Sequence, residues 1–373
     1  MTGQLTIEDK RLAPIAEKVQ AGERLTFEGG LALYRTHDLL ALGWLANFVR
    51  ERMHGNVCYY NVNRHINPTN VCVAHCRLCA FGRDPNVPGA YTMALEEVFR
   101  TAASGITEAV TEFHIVGGLH PDLTFDYYLD LIRGLKQRFP QVHLKAFTMV
   151  EIGYFAKITK LPAREVLLKL KQAGLDSLPG GGAEIFHPRV RKVICDHKTS
   201  GQLWLQIART AHELGLHSNA TMLYGHIESI EDRVRHMIKL REHQDESLAS
   251  RAAHFNCVVP LSFIPDDSDL SHLPGPTGLD DLRTLALARL MCDNIPHIKA
   301  FWIMQTPKLA QVSLNWGVDD LDGTVVWYDI TKREGHGTHQ ELSVDKIKRL
   351  IIEAGYDPTE RDTLYRPIHR HQP

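Results

Sequence analysis

Three cysteines that fall within eight residues could together hold a metal centre. Cys72, Cys76 and Cys79 have the spacing C-x3-C-x2-C, in the segment HINPTNVCVAHCRLCAFGR. Thiolates at such short intervals allow one loop to wrap a compact centre of zinc or of iron and sulfur. A structural zinc site usually closes four ligands with paired cysteines or histidines, and the chain has no second cysteine pair. The spacing therefore favours an iron–sulfur cluster with one open iron position, and a zinc site completed by His65 or His75 is the alternative.

The other four cysteines and the composition of the chain indicate a large apolar interior. Cys58, Cys195, Cys257 and Cys292 are scattered, and we expect small buried side chains rather than a disulfide framework. Hydrophobic residues make up 44% of the 373 residues and charged residues 23%. A net charge of -2 provides no strong field for nucleic acid or anionic lipid, and no apolar run has the length of a membrane span. The N-terminus is polar and unlike a secretory signal, so a cytoplasmic location is expected.

The cysteine loop follows a predicted strand, and strand-like and helical runs alternate beyond it. The series starts with VCYYNVNRHI (57–66) and ends with IKAFWIM (298–304). Regular alternation of this kind predicts an α/β protein with a parallel sheet flanked by helices. About seven or eight strands without a sign of a second domain favour a (β/α) barrel, which carries its chemistry at the C-terminal ends of the strands.

Three regions are predicted along the chain. Residues 1–55 should form a helical N-terminal extension and residues 56–304 the barrel core. Residues 305–373 should form a C-terminal extension that completes or caps the barrel. Within that extension, residues 305–342 are predicted to be irregular because they are rich in glycine, and a final helix is predicted over 343–355.

The cysteine loop resembles the signature of the radical S-adenosylmethionine (SAM) superfamily. That resemblance implies a barrel of the radical SAM type and a [4Fe–4S] cluster ligated by Cys72, Cys76 and Cys79. The fourth iron would bind the amino and carboxylate groups of SAM. One-electron reduction of the cluster would then split SAM into methionine and a 5′-deoxyadenosyl radical. The resemblance thus implies a one-electron donor such as flavodoxin or ferredoxin as a partner.

Two strand ends carry candidate SAM contacts. Gly117 and Gly118 close the run EFHIVGG, and the resemblance implies that this turn contacts the methionine amino group. Leu119 stands where the superfamily usually has Glu, so only backbone carbonyls remain for that contact. Glu151 follows the predicted strand VHLKAFTMV and is a candidate for the ribose hydroxyls or the amine of SAM. The alternative for Glu151 is a helix N-cap or a surface acid.

A third strand end carries the turn GGGAE. Its glycines are Gly180, Gly181 and Gly182, and three in succession are costly in chain entropy. Close approach of a ligand or of another chain segment is the reason we expect for them, and a flexible loop is the alternative. Further along, Gly225 and Glu228 match a superfamily segment that is usually structural.

Taken together, the segments at the strand ends resemble the aminofutalosine synthase family. They are HINPTNVCVAHCRLCAFGR, FHIVGGLHPDLTFDYYLDLIR, KAFTMVEI, GLDSLPGGGAEIFHPRVR, SNATMLYGHIE and GPTGLDDLRTLALARL. The family reaction, on the futalosine route to menaquinone, joins SAM to 3-[(1-carboxyvinyl)oxy]benzoate and gives aminofutalosine, methionine and bicarbonate. Cyclic dehypoxanthine futalosine synthase, another radical SAM enzyme such as a deazaflavin-type synthase, and an iron–sulfur electron carrier are the alternatives.

The implied substrate is an aryl enol ether with two carboxylates, so its pocket should contain cations. Arginine is suited to bidentate recognition of a carboxylate, whereas a surface cation or a structural ion pair is the alternative for each candidate. The sequence identifies no catalytic acid or base. The candidate cations near strand ends are Arg64, Arg83, His114, His120, Lys145, Arg189 and Arg191.

Overall fold

The centre of the molecule is a parallel sheet of seven strands that curls into an open barrel. The computed structural model describes residues 6–104, 109–324 and 341–370. Each strand pairs in parallel with the next strand along the chain, which confirms the predicted (β/α) barrel in an open form. These strands are β2 (Asn63–Ile66), β3 (Glu112–Ile115), β4 (His143–Ala146), β5 (Ser177–Leu178), β6 (His217–Tyr224), β7 (Phe255–Ser262) and β8 (His297–Ile298).

Helices between the strands cover the barrel, and side chains at their first turns fix where several of them begin. Thr148 and Glu151 form a capping box at one helix, and Ser229 and Asp232 form another. None of the helices in the described part of the chain is both long and apolar enough to cross a membrane. They are α1 (Ala13–Ala21), α2 (Phe27–Arg35), α3 (Leu39–His54), α4 (Leu95–Ala103), α5 (Phe125–Arg138), α6 (Met149–Thr159), α7 (Ala163–Ala173), α8 (Pro188–Ile194), α9 (Gly201–Glu213), α10 (Ile230–Ser250), α11 (Gly278–Met291), α12 (Trp302–Gln305), α13 (Pro307–Ser313) and α14 (Val344–Glu353).

A second, smaller parallel sheet lies beside the barrel and corrects the predicted first strand. It consists of β1 (Val57–Asn61), β9 (Asp320–Gly323) and β10 (Asp357–Glu360), in the order β10-β1-β9. The single strand predicted over 57–66 is therefore divided, because its first half pairs with β9 and β10 and its second half pairs with β3. The run contains neither glycine nor proline, so the sequence shows no break between the two halves.

Two further predictions about the end of the barrel are wrong. The run 298–304 continues only briefly as a strand and then forms α12, whose Trp302 is buried and donates from Nε1 to the Gly323 carbonyl at 2.9 Å. The stretch 305–342 contains α13 and β9 and is not irregular throughout, whereas its residues 325–340 lie outside the described residues. The division of the chain after residues 55 and 304 stays a prediction.

Residues 319–324 fill the gap between the edge strands β2 and β8. The Asp319 amide donates to the Ile298 carbonyl at 3.2 Å on one side. On the other side, the Thr324 hydroxyl donates to the Asn63 carbonyl at 2.9 Å. Three acids of this segment are buried and each pairs with a buried cation: Asp319 with Arg289, Asp320 with Arg361 and Asp322 with Lys299.

We expect Asp319→Ala to destabilise the fold, because it leaves the fully buried Arg289 without its counter-ion. Breaking a buried pair from one side costs about 3–5 kcal/mol in the free energy of unfolding. The midpoint of urea denaturation measures this loss. Glu353→Ala is the control, because its pair with Arg349 is exposed and should leave the midpoint nearly unchanged. Equal midpoints for the two variants would contradict the role given to Asp319.

Candidate active site

A cavity inside the barrel brings together the site residues predicted from the sequence. Its wall includes the three clustered cysteines, both glycine turns and the acid after β4. Apolar residues of β7 and of the cysteine loop line much of the remainder, including Leu78 and Phe81. The predicted residues on this wall are Cys72, Cys76, Cys79, Gly117, Gly118, Glu151, Gly180, Gly181 and Gly182.

Backbone hydrogen bonds hold the cysteine loop against the turn after β3 and against the end of α8. The Val73 amide donates to the Leu119 carbonyl at 3.0 Å, and the Arg77 amide donates to the Ile194 carbonyl at 2.9 Å. Within the loop, the Cys79 amide donates to the Cys76 carbonyl at 2.9 Å. The three thiols are partly exposed and unbridged. Three soft ligands on one loop, at the wall of a largely apolar cavity, fit an iron–sulfur cluster that keeps one iron open.

Cys76 adds an electrostatic reason why this site suits a positively charged centre. Burial raises the pKa of its thiol to about 12, because a thiolate in this place loses its hydration. The nearby Lys198 ammonium counteracts that rise. A metal centre would supply the remaining positive charge that a bound thiolate requires.

The glycine pair after β3 lets that strand end lie directly against the cysteine loop. A Cβ atom at Gly118 would lie 2.1 Å from the Val71 carbonyl oxygen and 3.0 Å from the Cys72 Cβ. The Gly118 amide also donates to the Thr69 carbonyl at 2.9 Å. Glycine is required at position 118 because the two backbones are in contact. The sequence alone did not distinguish this reason from close approach of a ligand.

Glu151 acts as a helix cap while it lines the cavity. Its carboxylate accepts hydrogen bonds from the Thr148 amide at 2.7 Å and from the Thr148 hydroxyl at 2.8 Å. It also accepts from the Gly117 amide at 3.1 Å, which ties the glycine turn to α6. Burial raises its pKa to about 7 although these donors lower it. The structure thus gives Glu151 a capping role, as the third residue of a box whose N-cap is Thr148, and its predicted contact with SAM stays a prediction.

The turn GGGAE is packed rather than flexible. A Cβ atom at Gly180 would lie 2.5 Å from the backbone of Asn219, and Gly182 has a φ of 81°. The Trp204 indole donates to the Gly181 carbonyl at 3.1 Å, and Arg191 Nη1 donates to the Ala183 carbonyl at 2.6 Å. The close approach of another chain segment therefore explains Gly180, and the flexible-loop alternative is wrong.

Most of the predicted cations are engaged away from the cavity. Of the seven candidates, only His114 lines it among the described residues. The other six contact protein groups instead, some of them nearby in the sequence and some distant in it. Arg64 donates to Ser104 (3.0 Å), Arg83 to the Ala80 carbonyl (2.7 Å), Lys145 to Glu112 (2.8 Å), Arg189 to Asp232 (3.0 Å) and Arg191 to the Ala183 carbonyl, and His120 accepts from the Asp122 amide (3.0 Å).

Two lysines that the sequence reasoning missed do line the cavity. Lys198 pairs with Glu184 at 2.6 Å, and Lys299 pairs with Asp322 at 2.7 Å. Both acids have left-handed backbone conformations, with φ of 48° and 63°. Such conformations are uncommon outside glycine and cluster at functional sites. Glu184 is the last residue of the GGGAE turn, and that motif could have identified it as a site residue from the sequence. Asp322 had no such signal, because it lies in the stretch predicted to be irregular.

A pair of stacked histidines forms another part of the wall. The rings of His65 and His114 lie 4.3 Å apart and nearly parallel. Their residues face each other in the ladder between β2 and β3, which places both below the cysteine loop. Burial lowers the pKa of His114, so its ring is neutral near pH 7. This arrangement provides a flat, polar surface inside the barrel.

An open parallel barrel whose first strand end carries C-x3-C-x2-C defines a class of enzyme. The radical SAM superfamily model matches residues 66–240, and the model of the CofH/MqnC C-terminal region matches residues 252–372. The crystal structure of methylornithine synthase shares the fold, with a TM-score of 0.73 at 17% identity over 92% of this chain and 97% of that chain. The chain is a radical SAM enzyme, and this class uses a [4Fe–4S] cluster and SAM.

Within that superfamily, the chain belongs to the family that carries the CofH/MqnC C-terminal region. It is 50% identical to the aminodeoxyfutalosine synthase of Thermus thermophilus, over 97% of each chain. It is 40% identical to a 5-amino-6-(D-ribitylamino)uracil–L-tyrosine 4-hydroxyphenyl transferase of Methanopyrus kandleri, over 87% of this chain and 88% of that one. It is 33% identical to the cyclic dehypoxanthine futalosine synthase of Halalkalibacterium halodurans, over 95% and 94%. The relatives thus differ in the named reaction.

We expect Gly118→Ala to lower the iron content of the protein after anaerobic reconstitution by at least half. The added Cβ would meet the Val71 carbonyl at 2.1 Å, and the loop that carries Cys72 must then move. Iron and sulfide analysis measures the change. Gly29→Ala is the control, because its Cβ meets only ordinary contacts beyond 3.4 Å in α2, far along the chain from the loop. Unchanged iron content in Gly118→Ala would contradict the close-contact argument.

Proposed function

We propose that this enzyme is an aminofutalosine synthase that acts on SAM and 3-[(1-carboxyvinyl)oxy]benzoate. The observation that carries the proposal is the 50% identity to an aminodeoxyfutalosine synthase over 97% of both chains. The other named relatives are less similar, at 40% and 33% identity. A cavity with two lysines and a histidine pair on a largely apolar wall suits a ring that carries negative groups.

Residues of this chain would hold the cofactors on one side of the cavity. We assign the cluster ligands to Cys72, Cys76 and Cys79, and the SAM side of the cavity to the turns at Gly117–Gly118 and Gly180–Gly182. When bound, the cluster and SAM supply a 5′-deoxyadenosyl radical for addition to the enol double bond. The chain contributes position, because packed glycine turns and short loops leave the reacting groups little freedom. It also excludes water through apolar residues such as Leu78 and Phe81.

We also propose an electron donor, a location and a pathway for this enzyme. Reduction of the cluster requires a one-electron donor, and we propose flavodoxin or ferredoxin for this role. The reaction would take place in the cytoplasm, on the route to menaquinone. Small-molecule substrates and a net charge of -2 give no reason to expect a nucleic acid partner.

We expect alanine at position 72, 76 or 79 to abolish both the cluster and turnover. Each of Cys72, Cys76 and Cys79 supplies one thiolate, and a cluster held by three ligands does not tolerate the loss of one. Iron and sulfide content, about four of each per chain in the unsubstituted protein, is the measurement. Cys195→Ala is the matched control, because that thiol is buried and does not line the cavity. Stoichiometric zinc without iron in protein purified anaerobically would overturn the assignment.

We expect carbon label in the adenosyl group of SAM to appear in aminofutalosine. Addition to the double bond joins the adenosyl carbons to the product, whereas hydrogen abstraction would release them as 5′-deoxyadenosine. Product analysis by mass spectrometry after reduction with dithionite distinguishes the two. Label found only in 5′-deoxyadenosine would show that the assignment is wrong. The reactions named for the less similar relatives would then be the next to test.

A further inference from the structure

The two lysines lie at different ends of the cavity. Lys198 follows α8, and the carbonyl of Ile194 at the end of α8 accepts a hydrogen bond from the Arg77 amide of the cysteine loop at 2.9 Å. Lys299 follows β8 directly, and the ring of Phe301, two residues further on, stacks on His65 with 6.5 Å between the ring centroids. The histidines belong to strands β2 and β3, and the cysteine loop and the glycine turn follow those strands. The end that contains Lys299 is therefore the inner end of the barrel.

We propose that Lys299 binds the ring carboxylate of the substrate, with Asp322 holding the ammonium in place. This inference rests on the proposed function. The reacting double bond must lie at the SAM side, close to the cysteine loop. The ring carboxylate is meta to the ether oxygen, so the aromatic ring separates it from the double bond and would direct it toward the inner end of the cavity.

The geometry of the pair leaves donors for such a ligand. An ammonium has three N–H donors, and Asp322 Oδ1 accepts one of them at 2.7 Å. Among the described residues, no second hydrogen bond from this ammonium to the protein is present, and Lys299 lines the cavity. Both partners are buried, so a hydrogen bond between the ammonium and a carboxylate there is little weakened by water.

Asp322 is placed to orient the lysine rather than to bind the substrate. Its left-handed backbone, with a φ of 63°, is held by a hydrogen bond from its own amide to Asp320 Oδ1 at 2.5 Å. Asp320 is in turn paired with the buried Arg361. Gly323, which follows, leaves no room for a Cβ because the Asn61 carbonyl oxygen would lie 2.5 Å away. The carboxylate of Asp322 therefore has a fixed position, and the ammonium is fixed with it.

The test compares two ligands in equilibrium binding to enzyme that contains the oxidised cluster and SAM. One ligand is 3-[(1-carboxyvinyl)oxy]benzoate, and the other is 2-phenoxyacrylate, which lacks only the ring carboxylate. In the unsubstituted enzyme we expect the ring carboxylate to improve Kd by roughly 10- to 100-fold, the range for a hydrogen bond to a charged group. In Lys299→Met the two ligands should bind within about threefold of each other, because the interaction partner is gone.

Two further variants separate a lost contact from a damaged fold. Lys145→Met removes a matched buried lysine, paired with Glu112 at 2.8 Å, that does not line the cavity. It should keep the preference of the unsubstituted enzyme for the ring carboxylate. The double variant Lys299→Met/Asp322→Asn removes both charges of the pair, so that no lone charge is buried, and it should show the same lost preference as Lys299→Met.

The outcomes distinguish this inference from the proposed function. A preference for the ring carboxylate that persists in Lys299→Met and in the double variant overturns the role of Lys299. So does the absence of any preference in the unsubstituted enzyme. Failure to form the adenosyl adduct, with the preference lost in Lys299→Met as expected, would instead overturn the reaction and leave the carboxylate site standing.

Discussion

The structure depends on how the open side of the barrel is closed. The edge strands β2 and β8 do not pair with each other in the described structure, and the segment 319–324 lies between them. Its three buried acids would be strongly destabilising alone, so each has a cationic partner from another part of the chain. Because one of these partners is Lys299, the interaction that closes the barrel also forms one end of the cavity.

The opposite end of the cavity depends on close contact between backbones. Gly118 lies against the cysteine loop and Gly180 lies against β6, at distances that no side chain could occupy. The first contact fixes the end of β3 relative to the loop that carries the cysteines, and the second fixes the end of β5 relative to β6. A cluster and SAM need such positioning, since a radical formed at the wrong distance from its target would react elsewhere. Glu151 ties the first of these turns to α6, because it belongs to the capping box of that helix and binds the amide of Gly117.

Features that depend on residues close together in the sequence were predicted, whereas contacts between residues far apart in the sequence were missed. The barrel follows from the alternation of strand-like and helical runs. The cysteine loop and the glycine turns are short motifs, and each is defined by residues that are close together in the sequence. Most of the candidate cations have the structural role that was stated as the alternative for each, and the sequence could not single these out, since whether Lys145 meets Glu112 or a substrate is decided by a partner 33 residues away. The division of the first strand was missed for the same reason: β1 pairs with chain that follows it by more than 250 residues.

Charge pairing also limits how this cavity can recognise a substrate with two carboxylates. Lys198 and Lys299 each have an acid as partner, so the two pairs add no net charge to the wall. Attraction of an anion by a positive field is therefore weak here, in keeping with a chain whose net charge is -2. Recognition must come instead from N–H donors held in fixed directions. Such donors favour a ligand whose carboxylates are correctly placed over other anions of the same charge. Such a site selects by position, and position is also what the proposed radical addition requires.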